Sequence, residues 1–69
     1  MPYDYSKLLG KIRECGYTQE TLAKAINRNK SSLNLKLKSK SVFTAKEIDS
    51  ICKVLDISND EIPAYFFTK

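Results

Sequence analysis

The chain has no histidine, and its two cysteines, Cys15 and Cys52, stand far apart with no CxxC pair. The usual zinc spacings are therefore missing, and no metal is expected. There is also no glycine-rich phosphate loop and no pairing of a nucleophile with a base, so nothing fills the geometric roles of catalysis; neither an enzyme nor a cofactor is expected. No apolar run approaches the length of a bilayer span, and the opening "MPYDYSKLLG" lacks both a basic n-region and an apolar h-region. The expectation is a cytoplasmic protein with no membrane partner, in which a disulfide would be out of place. Both cysteines continue apolar helical stripes, which points to core packing rather than redox chemistry. With two glycines, two prolines, 42% hydrophobic and 29% charged residues, the composition indicates neither disorder nor a fibrous repeat. At 69 residues the chain makes one domain, 1–69, whose core is only just sufficient.

One further absence is regional. From Thr21 to Lys46 there is no acidic residue, against seven basic ones: Lys24, Arg28, Lys30, Lys36, Lys38, Lys40 and Lys46. The remainder holds five basic and eight acidic residues, so the middle carries +7 and the rest −3. Such segregation fits a solvated face, and equally the electrostatic footprint of a phosphate-binding surface.

What is present reads as five short helices in an all-α domain. "DYSKLLGKIREC" sets Tyr5, Leu8, Leu9, Ile12 and Cys15 at helical spacing, with Asp4 as N-cap and Gly16 as a left-handed stop. Thr18 caps "QETLAKAI", whose stripe is Leu22, Ala23 and Ile26. "NRN" is a tight turn, because Asn tolerates the left-handed conformation. "FTAKEIDSICKVL" carries a capping box, Thr44 with Glu47, and a hydrophobic staple, Phe43 with Ile48; Ile48, Ile51, Cys52 and Leu55 line one side. In "SNDEIPAYFF" Pro63 would break an interior bond if Ser58 were the cap, so the helix starts either at an Asp60 cap or through an irregular first turn. The other acidic residues read as caps and surface charges.

The ambiguous stretch is "NKSSLNLKLKSK". Leu33, Leu35 and Leu37 alternate with Asn34 and Lys36, the period of a strand. Asn29 is nevertheless a good N-cap, and a helix from Lys30 to about Lys38 presents Leu33 and Leu37 inward to meet the preceding stripe. Leu35 is then turned about 200° from Leu33 at roughly 100° per residue and faces out.

The spacing "TQETLAKAINRNKSSLNLKLK" resembles the helix-turn-helix of the phage repressor and Cro family, with Ala23 at its small packing position, Ile26 and Leu33 at its buried positions, and Asn27 for its turn glycine. Arg28 departs from the pattern, standing where an apolar residue is common. The opening "YDYSKLLGKI" and closing "YFF" are similar to small phage proteins of the lysis and lysogeny switch, some Cro-like and some modulators of a separate repressor. The resemblance implies a compact, lambda-repressor-like five-helix domain. It also implies insertion of the helix from about Lys30 to Lys38 into the major groove of a double-stranded DNA operator.

On that mapping Lys30, Ser31 and Leu35 face the bases with Ser32 and Asn34 on the flanks: Lys30 to guanine, the hydroxyls to bases or phosphates, Leu35 to thymine methyls. An exposed leucine with no role is the plainer reading of Leu35. Thr18 and Gln19, at the start of the second helix, and Lys38, Lys40 and Ser41, in the loop after the third, would hold the DNA backbone, with Arg28 and Lys36 as weaker contributors. Taken singly, each lysine is as well explained as a solvated surface charge.

The leading expectation is a sequence-specific transcriptional regulator, Cro-like or a small repressor, and as a homodimer on a palindrome. The alternative is a modulator that binds a separate phage repressor through the same scaffold. Tyr65, Phe66 and Phe67 are candidates for self-association, unless Phe66 and one neighbour cover the first helix instead.

Overall fold

Four helices of this chain end in the same way, and the endings set the fold's corners. Gly16, Asn27, Ser39 and Asp56 all take positive φ, between 57° and 82°. In each case the next N–H reaches back five residues: Tyr17 to Ile12, Arg28 to Ala23, Lys40 to Leu35 and Ile57 to Cys52, at 2.8–3.0 Å. These are Schellman closures, which satisfy carbonyls the helix leaves unpaired and turn the chain sharply. Gly16 and Asn27 meet the expectation from their residue types; Ser39 and Asp56 are less common occupants of this conformation.

The structure, a computed structural model, describes residues 3–69. In chain order come α1 (Ser6–Glu14), α2 (Gln19–Ala25), α3 (Lys30–Leu37), α4 (Ala45–Leu55), a 3-10 turn (Asn59–Glu61) and α5 (Ile62–Phe66). All described regular structure is helical, as expected. The alternating leucines form a helix, not a strand, and Asn29 caps it by accepting the Ser32 N–H at 2.7 Å. Leu33 and Leu37 are buried, while Leu35 is 47% exposed.

The other helix starts follow their side chains. The Asp4 carboxylate accepts the Ser6 N–H and hydroxyl at 2.9 and 2.6 Å, one position earlier than a cap proper, so that buried Tyr5 occupies the cap position. These hydrogen bonds hold the Asp4 carboxyl below its usual range. Thr18 and Thr21 form a reciprocal box at the start of α2. At the last helix the irregular first turn is realised: Glu61 reaches back to the Ser58 N–H and hydroxyl across the 3-10 turn, and Pro63 falls in the first turn of α5, where no N–H is required.

Leu8, Leu22, Leu33, Ile51, Leu55 and Phe66 are almost wholly buried, one or two from each helix, and form the centre of the core. Aromatic edges extend it: Phe43 meets Tyr5 and Phe66 edge-on at centroid distances of 5.3 and 5.5 Å. Tyr65 and Phe66 are both buried, so α5 lies against α1 and only Phe67 of the aromatic run is left exposed. Cys52 lies in the core, but Cys15 does not. It follows the last residue of α1, where the chain turns toward Gly16, and is exposed. Its position continues the stripe of α1 beyond the edge of the core.

Glu47 is the second departure. It makes the expected capping box with Thr44, its Oε1 accepting the Thr44 N–H at 2.8 Å. Yet it is only 3% exposed, and its other oxygen, Oε2, pairs with Lys36 Nζ and, at 3.0 Å, with Arg28 Nε. Burial alone would raise this carboxyl; the hydrogen bonds from Lys36, Thr44 and Arg28 outweigh burial and bring it down to about 2.

Two outcomes follow from this packing. Leu33→Ala is expected to cost ~2 to 5 kcal/mol in urea unfolding and Leu35→Ala only a few tenths, and equal losses would show the helical phase to be wrong. Glu47, with its carboxyl lower in the folded than the unfolded state, contributes stability that is complete above about pH 4.5 and is lost as pH falls toward about 2. The displacement corresponds to about 3 kcal/mol. Unfolding curves between pH 2 and 6 should therefore show a steeper acid loss for the native protein than for Glu47→Gln.

Candidate functional site

The solvent side of α3 collects the polar and apolar groups that its inward leucines leave over. Lys30, Ser31, Asn34 and Leu35 line a shallow, open depression of about 470 Å³. Because positions three and four apart share a helix face, Lys30, Ser31, Asn34 and Leu35 form one stripe two turns long. Asn34 Nδ2 donates to Gln19 Oε1 at 2.9 Å, so the stripe is tied to the first residue of α2. Ser32 is half-buried beside it, its N–H occupied by the Asn29 cap.

The flanking candidates separate into two groups. Lys38, Lys40 and Ser41 are exposed at the far end of α3, around the Ser39 corner, whose hydroxyl donates to the Tyr3 carbonyl. Thr18 is exposed, but its hydroxyl is engaged by the Thr21 N–H at 3.1 Å. Glu20 places a carboxylate in the first turn of α2, next to Gln19, where a phosphate was expected. Arg28 and Lys36, also candidates for the DNA backbone, both pair with the buried Glu47 carboxylate, Lys36 with a side chain only 12% exposed. Of the seven cations between Thr21 and Lys46, five are without a carboxylate partner among the described residues: Lys24, Lys30, Lys38, Lys40 and Lys46.

Glu47 is thus the residue that sequence reasoning missed. Its capping box accounts for it fully in local terms, and its other partners lie 11 and 19 residues away, where no short motif connects them. A second, smaller groove lies between α1 and α2, lined by Leu9, Ile12, Arg13, Tyr17, Thr18 and Gln19. It meets the α3 stripe at Gln19.

Among the described residues no cluster of three or more His, Cys, Asp or Glu could hold a metal ion, and no helix is long and apolar enough to cross a membrane. Burial, with the nearby Asp49 charge, pushes the Cys52 thiol up, which disfavours the thiolate. The outer face of α3 presents an exposed apolar group, Leu35, with the Ser31 hydroxyl and Asn34 amide beside it and the Lys30 cation at the other end.

Among solved structures, the chain is similar to the solution structure of the modulator of repression (MOR) of the temperate bacteriophage TP901-1 from Lactococcus lactis. The match has a TM-score of 0.81 and 42% identity, over 97% of this chain and 90% of that one. No curated protein matches. Residues 1–69 match the family model described as "Protein of unknown function (DUF739)", and the chain belongs to the DUF739 family.

Proposed function

We propose that this protein is a modulator of repression that binds a separate phage repressor through the outward face of α3, in the cytoplasm of the bacterial host, without catalysis or a cofactor. The observation that carries this reading is the 42% identity, over 97% of the chain, with a phage protein described as a modulator of repression. The surface is consistent with it. A half-exposed leucine beside polar side chains fits a protein interface, where an apolar anchor supplies affinity and its polar neighbours supply register. The Gln19–Asn34 hydrogen bond holds one of those neighbours in place before any partner arrives, which reduces the ordering cost of association.

Direct operator binding is the second reading, favoured by the unpaired Lys30, Lys38 and Lys40 on and beyond α3. It asks more of the surface. Base reading needs side-chain donors and acceptors free to pair in fixed geometry, and the Asn34 amide is partly occupied by Gln19. It also calls for a homodimer, and with Tyr65 and Phe66 buried, Phe67 is what remains of the aromatic run for that contact.

The test is an operator-binding series with this protein alone, with the repressor of the same genetic switch alone, and with both. This protein by itself is expected to show no preference between operator and scrambled duplex, and to alter the repressor's binding curve. Leu35→Ala is expected to weaken the complex with the repressor by roughly tenfold or more, the size of a buried interface anchor, with its unfolding midpoint nearly unchanged. An operator-specific shift by this protein alone would transfer the assignment to direct DNA reading.

A further inference from the structure

We infer that Glu47 sets the partner class of this surface: by holding Arg28 and Lys36 it keeps the α3 side from binding duplex DNA and leaves it to a protein partner. The inference deepens the reading of a repressor-binding modulator and rests on it for the identity of that partner. The two cations bracket the stripe in sequence, Arg28 in the turn before α3 and Lys36 in its last turn. Both converge on a single carboxylate oxygen, Oε2 of Glu47, while Oε1 is taken by the Thr44 N–H.

The burial of Glu47 is what makes this hold effective. A surface carboxylate gives up its lysine to a phosphate at little cost, because water takes over its solvation. A carboxylate 3% exposed has no such recourse, and releasing Lys36 to a phosphate leaves a buried charge with Arg28 as its remaining cation. Arg28 is more accessible, with a side chain 37% exposed, but its guanidinium is fixed at two points: Nε on Glu47 at 3.0 Å and Nη1 on the Asn27 carbonyl at 3.1 Å. Each cation that fails to neutralise a phosphate lowers the salt dependence of duplex binding by about 0.9, so two withheld cations lower it by about two. At 0.1 M salt that is worth roughly tenfold or more in affinity.

The informative substitution is Glu47→Gln. Glutamine serves at this position of a capping box as well as glutamate does, so the bond to the Thr44 N–H is retained and only the charge is removed. Binding to a random-sequence duplex is measured by fluorescence anisotropy over a range of salt, with folding checked by circular dichroism. Glu47→Gln is expected to bind at least tenfold more tightly at 0.1 M salt and to steepen the salt slope by about two. Adding Arg28→Gln and Lys36→Gln to it should abolish the gain. In the native background, Lys36→Gln is expected to leave the slope unchanged, whereas Lys40→Gln lowers it by about one. A folded Glu47→Gln with no gain would overturn the inference, as would a Lys36→Gln that lowers the slope as Lys40→Gln does. If Glu47→Gln does not fold, the comparison of Lys36→Gln with Lys40→Gln decides. Repressor binding by the unaltered protein is read in a separate assay. Its absence, together with a gain in Glu47→Gln, would remove the proposed function while leaving Glu47 as the group that limits DNA binding.

Discussion

A buried carboxylate must have its lone pairs satisfied by the fold that buries it, and in this protein that requirement organises the junction of three segments. Glu47 joins the α4 N-terminus, through Thr44, to the turn that follows α2, through Arg28, and to α3, through Lys36. The apolar contacts among Leu22, Ala23, Leu33 and Ile51 draw the same segments together, but apolar packing is non-directional and tolerates sliding and rotation. The carboxylate does not tolerate them. A small rotation of α3 carries Lys36 away and leaves a buried carboxylate with Arg28 as its remaining cation, a change costly enough to disfavour neighbouring packings. Its value here lies in specifying one arrangement, since an ion pair of this kind gives little net stability over an apolar replacement.

Fixing α3 in this way also decides what it shows to solvent. Its three leucines are spaced so that no rotation of the helix buries them all. Once Lys36 is turned toward Glu47, with Leu33 and Leu37 inward, Leu35 has to emerge among Lys30, Ser31 and Asn34. The exposed leucine of the candidate site and the pairing of Lys36 with the buried Glu47 are two results of one phase.

Much of this was legible in the sequence because it is local. The Thr44–Glu47 box, the Asn29 cap, the Gly16 stop and the Asn27 turn each depend on residues within a turn of one another, and each has a chemical signature of its own. The phase of α3 followed from two residues, Leu33 and Leu37, against a strand-like alternation that misled only over periodicity. Less legible were features created by tertiary contact. Ser39 adopts a left-handed conformation in a corner that also receives the Tyr3 carbonyl, and serine carries no strong signal for it. Cys15 continues the apolar stripe of α1 yet falls beyond the layer that covers it, because helical spacing marks a face and not where its covering ends. Arg28 and Lys36 read as surface cations because their counter-charge is supplied by a residue whose own role already appeared complete.

Two related surfaces can serve different partners when folding leaves different numbers of their cations unpaired. Counting Lys and Arg along the chain measures the charge available before folding, whereas a phosphate backbone responds to the charge left unpaired after it. Between Thr21 and Lys46 the count is seven, and pairing with Glu47 reduces the independent cations to five, of which Lys30, Lys38 and Lys40 lie on or just beyond α3. A helix presented beside fewer unpaired cations loses general affinity for duplex DNA before any base is read, since phosphate contacts must first hold the helix in register. A protein partner makes no such demand. It needs a rigid apolar anchor and a rim whose polar groups are already in place, and α3 provides both in Leu35 and the Gln19–Asn34 pair. Changing the partner class of such a scaffold therefore needs no new fold and few new surface residues; one acid placed beneath the helix redirects the cations on either side of it.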